Sequence, residues 1–140
     1  FMLLIGVYIL PLVGMPALKL GSSLLALLLV TLAISLAASG YGILIGTIST
    51  SQEQSSIFGS ISVVILAAIG GIWIPTFMMS ETMNTVSKLS PLNWGLDAYY
   101  DIFLRNAGIS DILAYVLPLF LFALGCIIAS WLYNRYKRSN

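Results

Sequence analysis

The chain has 140 residues, 59% of them hydrophobic and 8% charged, with a formal net charge of +1 and a mean hydropathy of +1.02. Soluble domains carry roughly 25% charged residues, so this composition excludes a soluble globular domain and marks an integral membrane protein. With no histidine and one cysteine, the chain cannot build a disulfide framework or a Cys/His metal site from its own residues, and its near-neutral charge argues against a nucleic-acid partner.

Phe1 opens inside an apolar run, with no initiator methionine and no basic segment ahead of it. A cleaved signal peptide is therefore not expected, and the chain reads as the C-terminal half of something longer. Residues 1–17, interrupted by Pro11 and Pro16, read as the end of a span, since a whole crossing needs about 20 residues. Pro16, Lys19 and Gly21 mark a turn, and Ser22 or Ser23 can cap the next helix. Residues 22–48 are the strongest predicted span, because nothing charged occurs between Lys19 and Glu53. Within it Ala38, Gly42 and Gly46 recur every four residues, a spacing expected to let another helix approach closely. The polar run TSQEQS (50–55), with Gln52, Glu53 and Gln54 at its centre, is predicted to be a short loop between antiparallel helices. A third span is predicted over 56–79.

Beyond it the pattern changes. Gly70, Gly71 and Pro75 weaken or interrupt a helix through backbone entropy, a lost donor and a ring clash. Ser90 followed by Pro91 reads as an N-cap with proline at the first helical position. In the short helix starting there, Asp97, Asp101 and Arg105 recur every four residues and predict a solvated polar stripe, with Trp94, Tyr99, Ile102 and Phe103 mostly on other faces. Asp101 and Arg105 have helical ion-pair spacing, which favours a wet face over a catalytic dyad. Residues 80–108 are thus expected to lie at the membrane surface or to dip in and return, with Gly70, Gly71, Pro75, Pro91 and Trp94 as hinge or gate candidates. An ordinary extramembrane loop containing a helix is the alternative.

Gly108 and Ser110 are expected to end one helix and cap the next, giving a last span over 111–133 that Pro118 bends and in which Cys126 is a small buried hydrophobe. Trp131, Tyr133 and Tyr136 with Arg135, Lys137 and Arg138 form an interfacial and basic end, which predicts a cytoplasmic C-terminus. Lys19, Lys88 and Arg105 fall on the other side, so the orientation rests on the density of charge beside the last span. With four crossings, residues 71–108 face outward.

The expected fold is all-α: a polytopic membrane helical bundle of about four spans plus an outward-facing broken or re-entrant segment. No nucleophile with a base, carboxylate pair in a cleft or phosphate-binding glycine loop with a lysine after it is found, so catalysis and a bound cofactor are not expected. Apart from Asp111 at the very start of the last one, the predicted spans carry no Asp, Glu, Lys or Arg, which disfavours an ion-coupled carrier and suits a membrane subunit powered by another chain.

The stretches VGMPALKLGSSLLALLLVTLAISLAASGYGILIGTISTSQEQ, GGIWIPTFMM and LSPLNWGLDAYYDIFLRNAG resemble, in that order, the C-terminal half of a type-2 ATP-binding-cassette permease, the ABC-2 exporter family. The resemblance implies that these spans are the third to sixth of a six-span unit in the bacterial inner membrane. It implies a second permease copy or homologue, surrounding lipid, and a cytoplasmic ATPase that binds ATP and Mg. Gln52, Glu53 and Gln54 would then lie near that ATPase, and residues 70–108 would be the outward-facing broken region. The first two spans and the principal coupling helix are missing from this stretch, and nothing in it selects a substrate. An unrelated secondary carrier and a non-transporting membrane scaffold are the competing readings.

Overall fold

Residues 24–48 contain no proline and no charge, and they form one unbroken helix, α1 (Leu24–Ile48). The structure, a computed structural model, describes Leu12 and residues 24–73, 78–105 and 107–139. Among them are four further helices and no strand: α2 (Gln52–Ile69), α3 (Glu81–Ser87), α4 (Pro91–Arg105) and α5 (Ile109–Ser139). The expected span over 1–17 lies outside the described residues apart from Leu12.

Three of these helices, α1, α2 and α5, are long and apolar enough to cross a membrane. At 1.5 Å per residue they measure about 37, 27 and 46 Å, against a hydrocarbon core of about 30 Å. The bundle is all-helical, as the sequence predicts.

Helix ends differ from expectation for local reasons. Gln52, Glu53, Gln54 and Ser55 are not loop but the first turn of α2, because Ser51 caps it: its Oγ accepts from the Gln54 N–H at 3.2 Å. The Gln54 side chain reaches back in turn, its Oε1 accepting from the Thr50 N–H at 2.8 Å and the Thr50 hydroxyl at 2.7 Å. At the start of α5 the Gly108 N–H donates to Asp111 Oδ2 at 3.0 Å, which leaves Ser110 inside the helix rather than at its cap. The helix then continues through Pro118 and past Tyr133, so the basic residues are helical, with the Arg135 guanidinium 5.4 Å from the centre of the Trp131 ring one turn away.

The core is a seam between α1 and α5. On α5 the buried positions are Ile112, Val116, Leu119, Ala123, Cys126 and Ser130; they face a stripe on α1 of Leu27, Val30, Ala33, Ala37 and Gly40. Steps of three and four give the 3.5-residue period of left-handed packing. Gly40 lies against Ala123, where an added Cβ would stand 3.0 Å from the Ala123 carbonyl oxygen, and Thr47 shares a 2.6 Å hydrogen bond with Ser130. Both pairs are offset by 83 residues, so α1 and α5 run parallel. The small-residue set Ala38, Gly42 and Gly46 lies off this seam and is exposed, with nothing within 4 Å of a Cβ built on Gly42 or Gly46.

Gly40→Val should therefore overpack the seam and cost about 1–3 kcal/mol in detergent unfolding. Gly42→Ala, on the open face, should cost nothing and gain up to about 1 kcal/mol from helix propensity. Equal losses at the two positions would contradict the seam.

Candidate functional site

The break predicted at Gly70 and Gly71 is a defined helix terminus. Gly70 caps α2, its N–H donating to the Leu66 carbonyl at 2.8 Å; Gly71 comes next with φ 86°; and the Ile72 N–H returns to the Ala67 carbonyl at 3.2 Å. This is the Schellman arrangement, in which the left-handed residue turns the chain so that orphan carbonyls are satisfied. The two glycines have separate causes. Gly71 is needed for its backbone conformation. Gly70 is needed for space, since a Cβ there would sit 2.9 Å from Ser90 Oγ and 3.2 Å from the Asn93 nitrogen. Pro75, the third hinge candidate, lies outside the described residues.

Two short helices come after the break, the second of them starting at Pro91. Ser80 caps α3 by accepting from the Met83 N–H at 3.4 Å. Pro91 opens α4, but the Ser90 hydroxyl does not cap that helix: it turns across to donate to the Leu66 carbonyl of α2 at 3.1 Å. The Trp94 indole N–H donates to the Lys88 carbonyl at 2.7 Å and so fastens the turn between α3 and α4.

The contacts of α4 fix its depth. Its first residues, Pro91 and Leu92, share an apolar cleft with Ala37, Ala38 and Tyr41 of α1; a Cβ on Gly95 would meet Ile34 at 3.0 Å; and the Tyr99 hydroxyl is 3.1 Å from Thr31 Oγ1. As α4 advances its α1 neighbours step back toward Leu24, so the two helices are antiparallel. Ala37 stands about 16 Å from the Ile48 end of α1 and about 20 Å from the Leu24 end at the helical rise. The N-terminus of α4 is therefore level with the middle of α1. The cleft holds about 180 Å³, and Val63, Leu66, Leu119 and Phe122 complete its walls.

The polar stripe exists, but much of it faces protein. The Asp101 side chain is 13% exposed; its Oδ1 pairs with Arg105 at 2.8 Å and its Oδ2 accepts from the Tyr115 hydroxyl of α5 at 3.0 Å. Asp97 is half-buried, and its Oδ2 accepts from the Asn93 amide at 2.8 Å. Burial above all raises the Asp97 pKa from its ordinary 3.8, with Asp101 adding to the rise and the Asn93 amide, Arg105 and Lys88 opposing it. Asn93 is 2% exposed, and its Oδ1 has no hydrogen-bond partner among the described residues. Sequence spacing puts Asp97, Asp101 and Arg105 on one face but carries no signal for Tyr115, fourteen residues beyond Asp101, or for the Ser90 contact with α2.

At the other end of α2, Gln52 and Glu53 are exposed while Gln54 is occupied in capping. Gln52 borders a polar hollow lined by Ser49, Ser51 and Ser55, and Glu53 borders a second one with Gln54, Ile57 and Phe58.

Residues 1–104 match the family model described as ABC-2 type transporter, a stretch that takes in α1 to α3 and nearly all of α4. The chain belongs to that family. No curated protein and no solved structure matches it. Membership of the ABC-2 family, together with three helices able to cross a membrane, makes this chain an integral membrane component of a transporter.

The half-buried Asp97 makes a pH prediction. A raised folded-state pKa means that the protonated form is the better tolerated one, so stability is fully present below 3.8 and declines as pH climbs through the raised value. Thermal unfolding of the wild-type ABC-2 chain should lose stability over that rise, and Asp97→Asn should remove this part of the slope. Parallel curves for the two proteins would contradict the assignment.

Proposed function

We propose that the chain is a transmembrane permease subunit of an ATP-binding-cassette exporter, forming part of the substrate pathway and driven by a separate ATPase subunit or domain. The observation that supports this reading is the seating of α4: its N-terminus lies level with the middle of α1, is bonded to the broken end of α2 and borders an apolar cleft between helices able to cross a membrane, in a chain of the ABC-2 family. Backbone freed within a membrane has to be satisfied by protein, and here the Gly70 and Ile72 N–H groups and the Ser90 hydroxyl donate to the Leu66 and Ala67 carbonyls. ATP and Mg belong to the partner. A second permease copy completes the pathway, and lipid surrounds the exposed apolar faces.

The parallel course of α1 and α5 supports one topology. Thr47 and Ser130 lie level, so the α1–α2 turn at residues 49–51 and the basic end of α5 share a side. Arg135, Lys137 and Arg138 mark that side as cytoplasmic by the positive-inside rule, in a bacterial inner membrane. Residues 70–108 then face outward. In a Cys126→Ala background, single cysteines at Ser51 and Ser139 should be shielded from an impermeant thiol reagent applied to intact cells, while one at Thr82 should react. Labelling of Ser51 and Thr82 from the same side would overturn the topology.

Gln52 and Glu53, exposed on the first turn of α2, are the contacts proposed for the ATPase; Gln54 supports them by holding the cap. A carboxylate at a helix N-terminus also complements the helix dipole, so charge reversal acts on both the surface and the helix end. Glu53→Lys in the assembled transporter should lower transport-stimulated ATP hydrolysis several-fold without lowering the amount of protein in the membrane. Unchanged stimulation would leave residues 50–55 as a plain capped turn.

A further inference from the structure

The helices around the cleft are not equally held. Polar bonds cross three of the interfaces: Thr31 with Tyr99 joins α1 to α4, Thr47 with Ser130 joins α1 to α5, and the Tyr115 hydroxyl donating to Asp101 joins α5 to α4. The core residues Ala98 and Ile102 of α4 lie in the same buried cluster as Leu27 and Val30 of α1 and Ile112 and Val116 of α5. By these contacts α1, α4 and α5 are one block. In contrast, α2 has no buried residue. Near its cytoplasmic end it meets α1 where Gly59 approaches Ile45, and at the far end its described polar link to the block is the bond from the Ser90 hydroxyl to the Leu66 carbonyl.

We propose that α2 is the moving element of this chain, swinging about the turn at residues 49–51, and that the Ser90–Leu66 bond is the clasp that holds it closed over the apolar cleft. The sequence pattern alone points to the hairpin beyond Gly71 as the moving part; the packing places the motion in the span before it.

The chemistry of the clasp suits reversible opening. The Leu66 carbonyl also accepts the Gly70 N–H at 2.8 Å, so when the Ser90 hydroxyl lets go the acceptor is still satisfied inside the helix. The hydroxyl is a single rotor that can find another acceptor or water. Beside it, the closed joint carries an acceptor unsatisfied among the described residues, Asn93 Oδ1, on a residue whose backbone nitrogen faces Gly70. A buried polar atom without a partner raises the free energy of the state that contains it, which keeps the closed form from being locked. The lever is long: Leu66 lies about 21 Å up the helix from Gln52, so a small tilt at the exposed Gln52 and Glu53 becomes a shift of several ångströms at the clasp.

This inference rests on the exporter reading, and the test separates the two. Spin labels at Ile65 of α2 and Leu124 of α5, and in a second sample at Leu104 of α4 and Leu124, are placed in a Cys126→Ala background of the transporter assembled with its ATPase in nanodiscs. Pulsed dipolar spectroscopy should give a nucleotide-dependent change in the α2–α5 distance and none in the α4–α5 distance. Without nucleotide, Ser90→Ala should raise the open-to-closed ratio about fivefold, the size of one hydrogen bond. Gly70→Ala, which pushes a methyl group against Ser90 Oγ, should do the same from the other side of the joint and covers the case in which Ser90→Ala does not fold. Unchanged distances in both variants, with the nucleotide response intact, would overturn the clasp alone. A response of α4 with α2 stationary would overturn α2 as the moving element. If nucleotide moves neither pair in the wild type, the exporter reading fails and the clasp with it.

Discussion

The parallel seam between α1 and α5 is the constraint on which the rest of the structure depends. Gly40 lets the backbone of α5 come close at Ala123, and Thr47 and Ser130 fix the register below it. Within a bilayer, apolar side chains gain little by leaving lipid for protein, so close backbone approach and a few interhelical hydrogen bonds are what hold helices together. Two parallel helices joined by residues 49–108 leave room for one net crossing between them. That crossing is α2, and everything from Gly70 to Gly108 must begin and end on the side opposite the α1–α2 turn.

This parity returns the chain to the side where α2 ended, and the contacts of α4 then carry it back alongside α1. At about 27 Å, α2 is shorter than α1 or α5, and it stops where Gly70 and Gly71 turn the chain. The hairpin of α3 and α4 then fills the space that α2 leaves. Gly95 and Ala98 let α4 lie close to α1, while the polar atoms it brings to that depth are partnered by Thr31, Tyr115 and Arg105, with Asn93 Oδ1 as the exception. The result is a firmly packed block with one loosely packed helix beside an apolar cleft, an arrangement that suits a pathway whose wall can open.

The spans and the broken region are legible in the sequence because they depend on composition and on glycine and proline chemistry, which a linear sequence displays. The packing faces are not. Since α5 is apolar nearly all round, Ile112, Val116, Leu119, Ala123 and Cys126 carry no amphipathic signature to distinguish them from lipid-facing neighbours such as Leu117 and Leu121. On α1 two small-residue stripes run side by side, and Ala38, Gly42 and Gly46 have the more regular spacing, yet Ala33, Ala37 and Gly40 form the seam. The Asp97, Asp101 and Arg105 stripe is visible as a pattern, but the burial of Asp101 depends on Tyr115 and hence on how α4 meets α5. Serine before proline has the local meaning of a cap; the Ser90 hydroxyl is instead committed to a carbonyl 24 residues earlier.

The depth of α4 is the point on which the exporter reading turns, and a nitroxide accessibility scan measures it most directly. Single labels at Leu92 and Leu104 of α4 and at Leu36 near the middle of α1 are compared for collision with oxygen and with a water-soluble nickel chelate in a bilayer. A re-entrant α4 requires Leu92 to match Leu36 in depth, with Leu104 distinctly shallower. High and equal accessibility to the nickel chelate at Leu92 and Leu104 would place the helix outside the membrane and contradict the exporter reading proposed here.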